Sequence, residues 1–276
     1  MECMSPSCCV STRACVHIIG NFVKLRVIHR NGICMKVSRG FAVVQLLAVS
    51  VPFIISAAPG AQERAPIAEQ IAQAYGLDSF GKVEAIRYTF NIPDLKLSRS
   101  WVWEPKTDTV SYDGPDHDGR PVKVSYRRNQ LDSQSDAIKT DIDPAFVNDH
   151  YVLLFPLHIA WDVWASVTDD GTHEMPISKK SATRVVMKFP SQGGYSPGDT
   201  WELYVGKDKR LEEIIYHRAG AGFPSVYVAT WQDHKKAGPL LFATDHEGKG
   251  DGRPLRVFFS DVAVKVTGSE EWISAR

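Results

Sequence analysis

The chain has 276 residues, with 32 Lys plus Arg against 32 Asp plus Glu, and both signs are interspersed along it. Six of the basic residues but only one acidic residue precede Gln62, so the remainder is net acidic and carries no nucleic-acid footprint, which needs clustered positive charge. All five cysteines, Cys3, Cys8, Cys9, Cys15 and Cys34, lie before Met35, leaving the rest without a thiol for catalysis, metal binding or a disulfide.

Met35 opens a stretch that reads as an export signal. Met35 to Arg39 is basic, Phe41 to Ser56 is apolar, and Ala57 to Ala61 supplies small residues for cleavage. The apolar run is shorter than the roughly 20 residues that span a bilayer, and Pro52 interrupts it, so a cleaved signal is expected rather than an anchor. The cut is expected between Ala57 and Gln62, giving a soluble periplasmic or secreted product. Residues 1–34 read as an over-extended N-terminus, because their cysteines form neither a C-x-x-C pair nor a zinc-finger interval with histidine. Residues 62–276 are long enough to bury one core and hold all seven tryptophans.

Within that domain, Pro66 to Tyr75 reads as a short helix with Ile67, Ile71 and Ala74 on one face and Gly76 at its end. The period then becomes two: Ile86, Tyr88, Phe90 and Ile92 alternate with Arg87, Thr89 and Asn91. Strands follow at 98–103, 109–112 and 122–127, and a polar stretch runs from Asn129 to Asp141. Pro144 to Ala160 is expected to be a second helix, N-capped by Asp143, striped by Phe146, Tyr151, Leu154, Phe155 and Ile159, and kinked or divided at Pro156. Alternation returns in 183–189 and 201–205, with further strands at 211–219, 226–232, 240–246 and 253–266. No long helix separates consecutive strands, which disfavours a parallel sheet. The fold class is therefore α+β, mainly β. A curved antiparallel sheet of about ten strands forms an unclosed half-barrel, covered by two short helices, with a concavity either open or filled.

The motifs are weak. Gly194-Tyr-Ser-Pro-Gly198 matches a nucleophile elbow, but Pro197 lacks the N–H that would build the oxyanion hole. Asp113, Asp116 and Asp118 lack the glutamate of a calcium loop and read as a turn, and Asp245-His-Glu247 with Asp251 reads as a hairpin tip. His150 and His158 stand two helical turns apart, and with Asp149 they make the one arrangement suggesting zinc. Packing or surface histidines are the preferred reading, and no cofactor, metal or catalytic residue is assigned. The segment 145–162 is the most distinctive, because Asn148 and Asp149 interrupt an aromatic and aliphatic run. They either orient a ligand head group or face water.

Taken together, the helix–Gly-x-x-x-Phe–strand opening, Arg99 to Thr107, Phe146-x-Asn148-Asp149-x-Tyr151 ending in Trp161-Asp162, and Gly193 to Asp199 resemble a group of uncharacterised bacterial exported proteins. The resemblance covers most of residues 65–266. It implies an architecture similar to the LolA/LolB lipoprotein carriers, an unclosed barrel whose apolar concavity holds acyl chains. No acyl-binding position is carried over residue by residue. The expected function is a periplasmic carrier of a lipid or lipoprotein acyl chain that contacts a membrane or membrane-bound partner transiently. Its lining is expected to include Tyr88, Phe90, Trp101, Trp103, Tyr126, Asn148, Asp149, Phe155, Trp161 and Trp201. The alternatives are a secreted enzyme acting on cell-envelope material and an interaction module with a filled core.

Overall fold

Alternation from Ile86 onward marks the first strand: in β1 (Val83–Ile92), Ile86, Tyr88 and Phe90 are buried while Arg87, Thr89 and Asn91 stay partly exposed. The computed structural model describes residues 65–192 and 196–276. The expected leader, its cleavage region and the 1–34 extension lie outside the described residues, as do Gly193, Gly194 and Tyr195.

Before β1, helix α1 (Pro66–Ala74) buries Ile67, Ala68, Ile71 and Ala72. Its end is fastened to distant strands. The Tyr75 hydroxyl accepts from Leu211 N–H at 3.1 Å and meets His234 Nε2 at 2.8 Å. Gly76 turns the chain at φ +100°, and a Cβ there would stand 2.4 Å from the Pro239 carbonyl oxygen, so only glycine fits.

The remaining strands are β2 (Leu97–Glu104), β3 (Thr109–Pro115), β4 (Pro121–Arg127), β5 (Ser166–Glu174), β6 (Ser181–Lys188), β7 (Thr200–Val205), β8 (Leu211–His217), β9 (Val226–Thr230), β10 (Gln232–Ala237), β11 (Leu240–Gly250), β12 (Arg253–Val266) and β13 (Ile273–Ser274). All belong to one antiparallel sheet, in the order β4-β3-β2-β1-β12-β11-β9-β8-β7-β6-β5, with β10 beside β11 and β13 beside β12. The sheet is an unclosed half-barrel with β4 and β5 at its edges. Helix α2 (Asp143–Trp161) connects those two edges in sequence.

Helix α2 departs from expectation in three ways. A π-helical turn, Ile138–Ile142, leads straight into it, so Asp143 is helical rather than the N-cap. Its carboxylate instead accepts from the Tyr126 hydroxyl at 3.0 Å and from Arg128 Nε at 2.7 Å. The helix also continues through Pro156 without being divided. Packing on both sides makes the lost backbone bond tolerable, because Leu153, Leu154, Phe155, Leu157 and Ile159 are all buried. The expected stripe is therefore too narrow: this half of α2 is buried nearly all round.

The sheet also has more strands than the expected ten. The charged residues of β5 and β10 hid their pairing, and β11 runs on to Gly250 instead of turning at Glu247. His246 is consequently a fully buried mid-strand residue packed against Trp231, with ring centres 3.9 Å apart and planes tilted by 35°, and not part of a hairpin tip. Asp251 does sit at the turn, where its carboxylate accepts from Ser225 and Val226 N–H. The outer face is not uniformly wet either. Met175, Ala182 and Tyr204 form a small second cluster there, and the buried Glu213 accepts from Ile177 and Ser178 N–H.

Asp149 is wholly buried on the α2 face that meets β2. Arg99 grips it twice, Nε to Oδ2 at 2.8 Å and Nη2 to Oδ1 at 2.6 Å, and Trp101 Nε1 adds a third bond at 2.9 Å. Burial pushes the carboxyl up to about 6 against the opposing pull of Arg99. Replacing Asp149 with Ala strands the Arg99 charge and should cost about 3–5 kcal/mol in urea unfolding. Burial also drives the His246 imidazole down to about 3. Below about pH 6.5 the unfolded chain takes up a proton there that the folded chain refuses, so stability falls as pH drops towards 3. His246→Leu should make that slope shallower by about 1.4 kcal/mol per pH unit over this window, read from urea midpoints at successive pH values.

Candidate functional site

One stripe of α2 is left uncovered by the sheet. Pro144, Val147, Asn148, Tyr151 and Val152 recur at helical spacing and form one wall of a cavity of about 520 Å³. Across from them stand Phe90 and Ile92 of β1, Trp201 of β7, Tyr216 of β8, Tyr227 of β9, and Leu255 and Val257 of β12, with Trp231 after β9. The strands present these side chains because alternate residues of a curled sheet point into its concave side. The cavity opens to solvent on one side. Leu95 and Phe223 stand at its rim, and they are 55% and 41% exposed although both are large and apolar.

The deep wall is built of stacked rings. Phe155 lies on Trp201 with centres 4.2 Å apart and planes at 27°, and Trp201 meets Tyr216 at 4.5 Å. This fixes the indole from two sides and leaves its remaining surface to the cavity.

The carboxylates and the Tyr151 and Tyr216 phenols of the lining are already engaged. Asp199 Oδ2 accepts from the Tyr216 hydroxyl at 2.5 Å, and Oδ1 accepts from Ala219 N–H at 2.9 Å. Burial, and then that bond to Asp199, push the Tyr216 phenol well up. The Tyr151 hydroxyl donates to Asp162 at 2.7 Å, and burial likewise raises its phenol. Asp143 is matched by Tyr126 and Arg128. These carboxylates hold the walls in place, and their geometry does not aim them at a bound molecule. Among the described residues no three metal-binding side chains cluster. The His150 and His158 rings lie 6.1 Å apart, and His158 Nδ1 faces Asp162 at 3.4 Å.

The structure brings three of the ten residues expected from sequence into this lining: Phe90, Asn148 and Trp201. Phe155 stands directly behind Trp201. Tyr88 is fully buried beside Phe259, Trp101 packs between Tyr112 and Phe146, and Tyr126 reaches Asp143. Trp103 lies against His150, and Trp161 lies against Phe80 near the far end of α2. Asp149 points to Arg99 while its neighbour Asn148 points out, donating to it at 3.1 Å.

Sequence reasoning missed Val147, Val152, Tyr216, Tyr227, Trp231 and Arg218. The spacing of 144, 147, 148, 151 and 152 was a usable signal. The sheet residues carried none, because their neighbours depend on how the strands are ordered.

No protein-family model matches the chain, and no curated protein does. Solved structures similar to it include a DUF1329 family protein from Desulfovibrio piger, at 10% identity and TM-score 0.39, covering 74% of this chain and 95% of that one. A putative outer membrane lipoprotein-sorting protein domain from Vibrio parahaemolyticus, at 10% identity and TM-score 0.41, covers 77% and 96%. A LolA superfamily protein from Nitrosomonas europaea, at 9% identity and TM-score 0.35, covers 72% and 93%.

The arrangement can enclose an apolar molecule and shield it from water. Its shape depends on Asp199, which ties the loop after β8 to the start of β7. Asp199→Ala should free that loop, costing about 1–3 kcal/mol and raising amide exchange over residues 217–225 while β1 and β2 stay protected.

Proposed function

We propose that residues 62–276 form a periplasmic carrier that holds a lipid or lipoprotein acyl chain between α2 and the sheet. The observation that carries this reading is the cavity itself: about 520 Å³, walled mainly by aliphatic and aromatic side chains, and open at one side. Each methylene moved there from water contributes about 0.8 kcal/mol, so a chain of about ten carbons offers about 8 kcal/mol before its ordering cost is subtracted. The exposed Leu95 and Phe223 at the rim suit a mouth that meets a membrane or a membrane-bound partner during loading and release.

Export fits the same reading. Residues 35–61 would direct the chain out of the cytoplasm and be cleaved, and residues 1–34 would lie outside the functional protein. Among the described residues no helix is long and apolar enough to cross a membrane. Catalysis on envelope material is less well supported, because both oxygens of Asp143 and of Asp199 are already engaged by donors.

The protein should bind the neutral fluorescent probe N-phenyl-1-naphthylamine saturably, at about one molecule per chain. Val152→Trp, which projects an indole into the cavity, should weaken that binding by at least about tenfold with little loss of stability, because the added bulk enters empty space. Equal probe binding by this variant would place the site elsewhere. Native mass spectrometry of protein purified from a periplasmic extract should show a co-purifying lipid mass that Val152→Trp lacks.

A further inference from the structure

We propose that the cavity selects chains that end in a single anionic group, carboxylate or phosphate, bound by the guanidinium of Arg218. This rests on the carrier reading above and adds the chemistry of the ligand's head.

Arg218 lines the cavity directly after β8. Three contacts fix its side chain. Nε donates to the Pro224 carbonyl at 3.2 Å, the guanidinium carbon sits 5.7 Å from the Tyr216 ring centre, and the stem lies against Gly222. Gly222 has φ +140°, and a Cβ there would come within 3.3 Å of Arg218 Cδ. A side chain at 222 would therefore both strain the backbone and displace the arginine.

No carboxylate among the described residues forms an ion pair with this guanidinium. Arg99, Arg128, Arg184 and Arg256 each have one. The carboxylates in the same lining do not fill the role, since Asp143 is matched by Arg128 and both oxygens of Asp199 are taken by Tyr216 and Ala219. An ordered arginine without a carboxylate partner thus lines a space whose other walls are mainly apolar and whose two carboxylates are already engaged. A neutral chain would leave the guanidinium to water, whereas an anionic head would take two of its N–H donors in the paired geometry that guanidinium favours. Asn148, exposed on the facing wall, offers a further polar contact near the same mouth.

The test is displacement of N-phenyl-1-naphthylamine from the purified protein by laurate, dodecyl phosphate and dodecanol, three amphiphiles with the same chain length. At least one of the two anions should displace the probe at about tenfold lower concentration than dodecanol, the ratio expected of one charge-assisted pair. Whichever anion does so identifies the source, carboxylate or phosphate. Arg218→Gln should bring that anion to the level of dodecanol and leave dodecanol within about twofold of wild type, while Arg218→Lys should retain part of the preference. Equal displacement by all three from the wild-type protein, or an anion preference that survives Arg218→Gln, overturns the assignment to Arg218 and leaves the carrier reading standing. Failure of the wild-type protein to bind the probe or any amphiphile overturns both.

Discussion

The sheet has two free edges, and the chain joins them through α2, the longest helix among the described residues. It leaves the sheet at β4, runs through α2 and re-enters at β5, so α2 must cross the concave side instead of lying on an outer face. A helix in that position meets strands on several sides, which explains why its second half is buried nearly all round. Its first half is covered on one side only. The strip left uncovered is the wall of the cavity, so the cavity follows from the connection and needs no separate device. The edges themselves are blunted. β5 carries Asp169, Asp170 and a break in register before Thr172, and β4 begins at Pro121 and exposes Lys123 and Arg127.

Placing a helix inside a sheet also forces polar groups into the interior. Asp143, Asp149 and His150 are buried on α2, and Asp162 is buried just past its end. Each acidic group has a specific donor: Arg128 and Tyr126, Arg99 and Trp101, and Tyr151. Their positions along the helix fix its rotation and its depth. A slip of one residue would leave the Arg99 fork empty and carry Asn148 into the core. The division between the packed face and the cavity face is therefore set by ion pairs as much as by apolar patterning.

Much of this fold was legible in the sequence wherever one face of an element is buried. The alternation in β1, β6 and β7 and the Pro66 start of α1 are local signals, and the structure keeps them. What was not legible depended on distant neighbours. β5 and β10 are rich in charge and gain their strand conformation from partners, and His246 looked like a turn residue because Asp245 and Glu247 flank it. Asp143 and Pro156 obeyed tertiary packing over their local preferences. The cavity shows the same split. Phe90 and Trp201 share it because β1 and β7 curve around one helix, whereas Tyr88, Trp101 and Trp103, equally apolar and on the same strands or their neighbours, meet the other side of that helix.

The central seam of the sheet pairs β1 with β12, joining segments such as Thr89 and Asp261 that stand 172 positions apart. Neither half of the sheet completes its hydrogen-bonding ladder until the last long strand is available. Contacts this remote in sequence make folding slow, and an intermediate that waits for them shows an open ladder to its surroundings. A chain made from its N-terminus would so stay unlocked until β12, at residues 253–266, is available to close the seam.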